Sequence, residues 1–498
     1  MNFDSIITIA AFGVYLIFMI CVGMYFMGKS RTTSEYFLGG RKLGSWVTSM
    51  SAQASDMSGW LLMGLPGAAY LSGISAGWIA IGLAIGTYLN WLLVAKPLRQ
   101  YTKVADDAIT LPQFFKNRFR DESGMISVIA AVFILVFFLF YTASGFVSCA
   151  KLFSSVFGIP YLVSLVIGAV VVISYTFAGG FFAVCWTDFF QGMLMFFCVI
   201  AVPSIAIGSL GGPSDFFAQV EAFNPNFLNM FVDGANGTPY TAIGIISLLA
   251  WGLGYFGQPH ILVRFMGIES PGAIKKSRRI ATTWVLISLT AAVLIGISGR
   301  MFLGDGLLVT AGNEETIYIN MVSRIFPVFI AGIFLSAILA AIMSTADSQL
   351  LVTASAITED FYHNKIRPNA SPMELMWVSR ICVIAVALIA VLIATNQNST
   401  VLGLVEYAWA GFGSAFGPLV LCSLFWRRAN KYGAYAGIIV GGVVDLVWAQ
   451  MSGGVFDLYE IVPGFLCGLI AIIVVSLLTP APSKEVTDQF DSYRTCEE

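Results

Sequence analysis

The chain has 498 residues, of which 58% are hydrophobic and 11% are charged. A soluble protein of this length could not bury so much apolar surface, so the composition predicts an integral membrane protein with little extramembrane mass. The formal net charge of −2 argues against a nucleic-acid partner, because binding a polyanion needs a basic surface. Eight cysteines without CxxC spacing and only two histidines argue against a disulfide framework and a histidine-rich metal centre.

Apolar runs along the chain predict an all-α polytopic membrane protein with about 13 transmembrane helices. The first run is too long for a signal peptide and lacks the basic segment before it, so we expect it to be retained. The runs lie near residues 6–27, 44–72, 74–95, 125–152, 159–180, 186–209, 240–265, 279–301, 326–358, 375–396, 401–425, 433–450 and 458–479.

The basic residues between these runs predict the orientation. They cluster after the first, third, seventh and eleventh runs, with members such as Lys29, Arg31, Lys96, Lys275 and Arg427. Only Lys151, Arg300 and Arg324, of 26 Lys and Arg residues, fall on the opposite side. The positive-inside rule therefore predicts a multi-pass protein of the cell (plasma) membrane, with its N-terminus outside and its C-terminus in the cytoplasm.

A carboxylate interrupts the second run, in the stretch Ala54–Gly67. Asp56 would cost at least ~2.5 kcal/mol in hydrocarbon, so such a residue usually marks an ion or substrate path. Ser55, Ser58 and Gly59 weaken the helix beside it, and an unwound span exposes carbonyls that can bind a cation. The alternative is a structural Asp paired with Lys or Arg, although none lies between residues 43 and 95.

A second interrupted run, Trp251–His260, contains three glycines and a proline. Trp251 and Tyr255 are spaced i,i+4 and would share one helix face. Paired broken spans in two halves indicate a transporter site near the membrane midplane. The alternative is a flexible glycine-rich helix that binds nothing.

The predicted spans divide into two groups of five, and an odd repeat must invert its topology, which gives a 5+5 inverted repeat. The expected units are an N-terminal helix and cytoplasmic loop (1–43), a first repeat (44–210), an outer loop with the second repeat (211–425), two additional helices (426–480) and a cytoplasmic tail (481–498).

A stripe of small residues marks the ninth span. Ala341, Ser344, Thr345 and Ser348 stand at i, i+3, i+4 and i+7 on one helix face. Hydroxyl and carbonyl oxygens suit an alkali cation, although such stripes also hydrogen-bond within their own helix or to a neighbour. Asp347 favours the ion-binding interpretation. Asp188, near a span end, either joins this site or faces the cytoplasm.

No catalytic motif accompanies these features. The sequence contains no phosphate-binding glycine loop, HExxH, GxSxG or paired-cysteine zinc motif. The Gly252-Leu253-Gly254 sequence lacks the strand and the further glycine of a dinucleotide fingerprint. We therefore expect neither an enzyme nor an organic cofactor.

With these residues identified, the chain resembles the sodium/solute symporter family, and within it the proline branch. The resemblance extends over about residues 10–480 and rests on the stretches Tyr36–Arg41, Ala54–Gly67, Thr176–Gly180, Trp251–His260, Ser336–Leu351 and Tyr407–Gly413. It implies a LeuT-like fold of ten core helices, here spans two to eleven.

The resemblance also implies functional residues. It places sodium at the carbonyls of Ala54, Met57 and Ala341 and the hydroxyls of Ser344 and Thr345, with Asp56 linked to sodium dependence. It places the substrate against Trp60, Tyr141, Trp251 and Tyr255, with Ser58, Gly64 and Pro259 shaping the break. In some relatives a second sodium site uses positions that match Asp188, Ser344, Asp347 and Ser348, whereas the proline branch is regarded as using one sodium. Gln53 stands where close relatives usually have glycine.

The implied function is sodium-coupled import of L-proline, or of a similar small zwitterion, across the lipid bilayer by alternating access. Two rival functions stay open at this point. One is symport of another small amino or carboxylic acid, with proton or lithium replacing sodium. The other is a transporter-like sensor, for which the tail after Pro480 is too short to hold a kinase domain.

Overall fold

The regular structure is helical throughout the part of the chain that the computed structural model describes, residues 3–27, 33–176, 180–308 and 312–495. Extended backbone pairs there only at two isolated bridges, Leu43 with Ile268 and Val232 with Pro239. The α-helices in chain order are α1 (Phe3–Met27), α2 (Thr33–Leu38), α3 (Ser45–Asp56), α4 (Leu65–Ser72), α5 (Gly77–Leu89), α6 (Ala95–Val104), α7 (Leu111–Arg118), α8 (Met125–Phe157), α9 (Tyr161–Thr176), α10 (Phe181–Ser209), α11 (Pro213–Phe223), α12 (Ala242–Leu249), α13 (Pro259–Gly267), α14 (Ile274–Leu303), α15 (Ile317–Ile325), α16 (Val328–Ser355), α17 (Pro372–Ala394), α18 (Val401–Phe425), α19 (Lys431–Trp448), α20 (Ile461–Leu478) and α21 (Lys484–Thr495).

Shorter helical turns join several of these helices. The 3₁₀ turns are Gly39–Arg41, Gly73–Ala76, Pro225–Leu228, Ala250–Gly257, Pro271–Ala273, Asn313–Thr316 and Gly454–Asp457, and the π-helical turns are Trp60–Gly64, Asn90–Val94 and Ala356–Ile366. Lys29, Arg31, residues 177–179 of the Thr176–Gly180 stretch and the last three residues of the tail lie outside the described residues.

Each predicted span contains helical segments among the described residues, but the number of membrane spans stays a prediction. By length and apolar composition, nine described helices could cross a membrane, or ten if the bent pair Ala242–Gly257 and Pro259–Gly267 is one span. The count falls below 13 partly because helical turns join two predicted spans into one segment, Trp60–Val104. In addition, α9 has only 16 residues. The all-α, multi-pass prediction is confirmed.

Burial separates the central helices from those at the periphery. In the most apolar 18-residue stretch of each helix, 89% of α18 is buried inside the protein, whereas only 28% of α1 and of α17 is buried. The peripheral helices expose large apolar side chains, such as Ile17 on α1 and Leu392 on α17, as expected for surfaces that face lipid. The candidate site residues lie on the central helices, away from that surface.

Both predicted helix breaks are present. Helix α3 ends at Asp56, and Met57 follows with φ −86° and ψ 76°, outside the helical region. The second break changes from α12 into a 3₁₀ turn, and Gln258, with φ −78° and ψ 106°, precedes α13. The helical pieces on the two sides of this break are bent by 45°. Because Pro259 has no backbone N–H, it is tolerated at the start of a helix and not inside one.

Glycines let the second break lie directly against α5. A Cβ atom added to Gly86 would lie 2.3 Å from the carbonyl oxygen of Gly252, and one added to Gly82 would lie 2.3 Å from that of Leu249. Real side chains do not tolerate such distances, so the two backbones touch where no side chain intervenes. This contact fixes the position of the residues that follow Gly252.

Candidate cation and substrate site

The end of α3 and the middle of α16 meet at the predicted cation ligands. The Ser344 hydroxyl donates to the carbonyl oxygens of Ala54, at 2.8 Å, and Ala341, at 3.2 Å. The Thr345 hydroxyl lies 3.4 Å from the same Ala54 oxygen. Met57 is buried one turn further along, in non-helical backbone. Four of the five predicted ligands therefore contact one another directly, and the hydroxyl stripe reaches a neighbouring helix.

Asp56 is completely buried, and among the described residues it pairs with a tyrosine and not with Lys or Arg. Its Oδ2 accepts a hydrogen bond of 2.6 Å from the Tyr255 hydroxyl. Its Oδ1 has no hydrogen-bond partner among the described residues. Its backbone carbonyl accepts from the indole nitrogen of Trp60, at 3.1 Å, and from the hydroxyl of Tyr141, at 2.9 Å. Asp56 thus contacts three of the four aromatic residues predicted to bind substrate, and the alternative of a structural ion pair is wrong.

Trp251 joins this group through Trp409 of α18. The Trp409 indole nitrogen donates to the Trp251 carbonyl at 2.7 Å, and the two rings stack with centroids 6.5 Å apart. The Tyr255 ring packs edge-on against Trp409 at 5.0 Å. The prediction of a shared α-helical face for Trp251 and Tyr255 is wrong in detail, since both lie in a 3₁₀ turn. Both nevertheless contact the same indole.

The other predicted substrate residues differ in their surroundings. The Ser58 hydroxyl is buried without a hydrogen-bond partner among the described residues. A Cβ atom at Gly64 would lie 3.2 Å from Leu402, so the break packs closely against α18. Pro259 instead borders a small cavity shared with Phe181 and Val263. None of the four predicted aromatic residues borders that cavity.

The second-site candidates surround an arginine. Asp188 is fully buried, so of its two alternatives the one in which it faces the cytoplasm is wrong. Its Oδ2 accepts from the Ser51 hydroxyl at 2.7 Å and from the guanidinium of Arg264 at 3.1 Å. The same guanidinium contacts the Ser348 hydroxyl, which lies 3.3 Å from Oδ1 of Asp347.

The sequence pattern did not single out three residues of this region. Arg264 lies at the end of a predicted span, where it was grouped with the cytoplasmic basic residues, yet it is completely buried. The rule that pointed to Asp56, a charge within an apolar run, would have found it. Trp409 and the buried His260, whose ring packs against Tyr141 at 5.8 Å, lie within stretches that carry the family resemblance but offered no separate signal.

Gln53, the departure from the family pattern, lies one residue before Ala54, a predicted cation ligand. Its side chain is buried, and neither the oxygen nor the nitrogen of its amide has a partner among the described residues. Its backbone carbonyl accepts the N–H of Met57 at 2.9 Å. Gln53 therefore supports the last turn of α3 through its backbone.

Comparison with known proteins gives consistent matches along the whole chain. The model of the sodium:solute symporter family matches residues 36–441. The "High-affinity proline transporter PutP" of Bacillus subtilis (strain 168) is 48% identical over 477 residues, which cover 96% of this chain and 99% of that protein. The "Sodium/proline symporter" of Escherichia coli (strain K12) is 49% identical over 485 residues, which cover 97% of this chain and 95% of that protein.

A solved structure matches the fold. A Na⁺-coupled sialic acid symporter, in a substrate-bound outward-open state, superimposes with a TM-score of 0.78 at 22% identity, covering 96% of this chain and 99% of that one. The predicted LeuT-like fold is confirmed.

Proposed function

Because the chain belongs to the sodium:solute symporter family, we propose that it is a secondary active transporter that imports L-proline together with sodium. The relatives described above are named as proline transporters, not as enzymes. The observation that carries this proposal is the geometry of the first break. Within three residues, Ala54 contacts the hydroxyls of α16 and Asp56 contacts the aromatic group.

Sodium is assigned to the oxygens at the junction of α3 and α16. The carbonyls of Ala54, Met57 and Ala341 and the hydroxyls of Ser344 and Thr345 are neutral, hard ligands, which suit an alkali cation. They are fully or almost fully buried. A cation there would take the place of the hydrogen bonds from Ser344 and Thr345 to Ala54, once these hydroxyls turn their lone pairs inward.

Proline is assigned to the aromatic side of the same break. The rings of Trp60, Tyr141, Trp251 and Tyr255 offer apolar faces to the pyrrolidine ring. The non-helical backbone at Met57 and Ser58 offers peptide groups for the carboxylate and the ammonium. Ser58 and Gly64 shape this break, whereas Pro259 acts at a distance by starting α13.

Transport follows from alternating access. Sodium enters from outside, orders the break after Asp56 and completes the proline site, and both solutes then leave inward. One charge moved through ~100 mV gives ~2.3 kcal/mol, and a tenfold sodium gradient adds ~1.4 kcal/mol. The sum of ~3.7 kcal/mol supports roughly 500-fold accumulation of proline at one sodium per proline.

The orientation proposed is an external N-terminus and a cytoplasmic C-terminus in the cell membrane. The asymmetry of the basic residues supports it. The 5+5 inverted repeat over residues 44–210 and 211–425 is part of the same proposal. It is supported by the two breaks, which lie on the second and seventh predicted spans of the chain and so on the first span of each repeat.

The test is uptake of labelled L-proline by proteoliposomes that contain the purified protein. We expect uptake under an inward sodium gradient and little under an equal potassium gradient. The Asp56→Asn variant should lose most of this sodium dependence. Uptake indifferent to sodium, or driven equally by lithium or a proton gradient, would contradict the sodium assignment. Full competition by unrelated amino or carboxylic acids would contradict the proline assignment.

A further inference from the structure

The C-terminal helix α21 packs against the ends of other helices. Most of its residues are polar, yet the side chains of Phe490 and Tyr493 are at most 4% exposed. The Tyr493 ring stacks on Tyr101 of α6, with centroids 4.2 Å apart and an angle of 13° between the planes. The hydroxyl of the same tyrosine donates to the carbonyl of Leu424, at the end of α18. One side chain therefore joins α6 to α18.

A buried arginine extends this contact to α7. Arg118, the last residue of α7, is completely buried. Its guanidinium carbon lies 5.0 Å from the ring centre of Phe490 and 5.4 Å from that of Tyr101, within the range of cation–π attraction. Its Nε donates to the carbonyl of Ser423 on α18 at 3.0 Å. Helices α6, α7 and α18 thus meet beneath α21.

Helix α6 is also bonded to the far side of the second break. The Nε of Arg99 on α6 donates at 2.8 Å to the carbonyl of Ile268, which directly follows α13. In the orientation proposed above, α13 continues the break towards the cytoplasm. A displacement of α13 on that side therefore requires a displacement of α6.

A small cavity lies between α13, α16 and the start of α7. Its walls include Pro259 of α13, Ser355 of α16 and Thr110, whose side chain caps α7. The Thr110 hydroxyl also donates at 2.8 Å to Oδ2 of Asp360, in the π-helical turn that follows α16. Helix α7 is thus held at its start by Asp360 and at its end by the contacts of Arg118 beneath α21. Because the cavity borders the first residue of α13, it lies on the way from the break to the cytoplasmic side.

We propose that α21 is a strap that holds the cytoplasmic side of the transporter closed and detaches when the solutes leave inward. The proposal rests on the alternating access and the orientation proposed above. Inward release requires α13 to separate from the helices around it, and α6 has to follow because of the Arg99 bond. The strap ties α6 to α18 and so opposes that separation. Each contact of the strap shifts the equilibrium towards the closed state by its own free energy.

The reactivity of a cysteine in the cavity wall measures this opening. The substitution Ser355→Cys places a thiol there, and a membrane-impermeant maleimide is added to inside-out vesicles. Tyr493→Phe loses only the hydroxyl bond to Leu424, so we expect it to speed the labelling of this thiol about two- to tenfold. Tyr493→Ala also loses the ring stack and should speed it further. The same variants with Ser355 retained give the background from the native cysteines.

The matched control is Ser492→Ala, on the exposed side of α21 next to Tyr493. It should leave the labelling rate unchanged. Equal labelling rates in the unmodified background and in both Tyr493 variants would overturn the proposal.

Locking the strap tests the proposal in the opposite direction. In the double variant Tyr101→Cys with Tyr493→Cys, a reducible bifunctional thiol reagent links α6 to α21. We expect the linked protein to bind proline but to lose proline uptake, and reduction of the linker should restore the uptake. Undiminished uptake by the linked protein would overturn the proposal.

Hydrogen exchange of α21 in the unmodified protein needs no variant to fold. A detached helix of 12 residues is only marginally stable in water, so its amides should exchange faster with sodium and proline together than with neither. Equal exchange rates would overturn the proposal. The labelling assay needs neither sodium nor proline. Uptake that ignores sodium would therefore contradict the proposed function, whereas unchanged labelling would contradict the strap alone.

Discussion

The Ser344→Ala substitution addresses the sodium site most directly. The Ser344 oxygen lies 2.8 Å from the carbonyl oxygen of Ala54 and 3.2 Å from that of Ala341. Without it, the Ala54 carbonyl keeps only the longer contact with Thr345, at 3.4 Å. The charged group here is the bound sodium ion, and removing one polar partner of a buried charged group costs about 1.5–3 kcal/mol. Since ~1.4 kcal/mol is tenfold in affinity, the half-saturating sodium concentration should rise about ten- to a hundredfold.

The assay is initial-rate uptake of labelled proline by proteoliposomes over a series of sodium concentrations. The matched control is Ser336→Ala on the same helix, about two turns away. Ser336 is equally buried, and within the described part of the chain its hydroxyl bonds only to the carbonyl of Gly332, at 2.9 Å. We expect the control to behave like the unmodified protein. If both variants required the same sodium concentration, Ser344 would not be a ligand.

Three further predictions concern contacts elsewhere in the site and the scaffold. In Tyr255→Phe, Asp56 loses its hydroxyl donor at 2.6 Å, so proline affinity should fall roughly tenfold or more in equilibrium binding. The control Tyr161→Phe, which removes a hydrogen bond of 2.9 Å to the Ala394 carbonyl, should leave the affinity for proline unchanged. Gly86→Ala would force a Cβ against the Gly252 carbonyl, so thermal unfolding in detergent should show a loss of about 1–3 kcal/mol. The control Gly208→Ala adds a Cβ that has no atom within 4 Å, so it should not lower the stability. Lys151→Met breaks the nearly buried pair with Glu315 and should lower stability by about 1–3 kcal/mol. Lys42→Met, in the exposed pair with Glu35, should have almost no effect.

Local chemistry made the helices and their breaks predictable. Apolar runs fix where helices lie in a bilayer, and the Ser and Gly residues around Asp56 and the Gly and Pro residues before His260 fix where helical bonding fails. The number of spans was harder to predict, because it depends on how pieces such as α4 and α5 are joined. The 3₁₀ turn Gly73–Ala76 makes the helical segment continuous between these two helices, and apolar composition does not distinguish that turn from a span end.

The partners of the site residues could not be predicted from local patterns. Asp56 and Tyr255 were both identified, yet their hydrogen bond joins positions 199 residues apart. Arg264 was assigned to the cytoplasmic side by its position near a span end. Only the packing of α3, α10 and α16 around α13 shows that its charge is buried and paired with Asp188. Nothing in the surrounding residues signals such a partner, since it comes from another helix.

The closeness of the two proposed sites gives a physical reason for coupling. Ala54 lies in the last turn of α3 on the sodium side, and Asp56, two residues later, contacts Tyr255 and Tyr141 on the proline side. A cation that binds the Ala54 carbonyl restricts the backbone on which the Asp56 contacts depend. Proline then binds to a break that is already ordered, so the entropic cost of ordering the break no longer weakens proline binding. Because linkage is reciprocal, bound proline must raise the affinity for sodium by the same factor by which sodium raises the affinity for proline. Coupling free energies of about 1–3 kcal/mol are typical. Short covalent distance along α3, and not a long path through the fold, is therefore what joins the ion to the substrate.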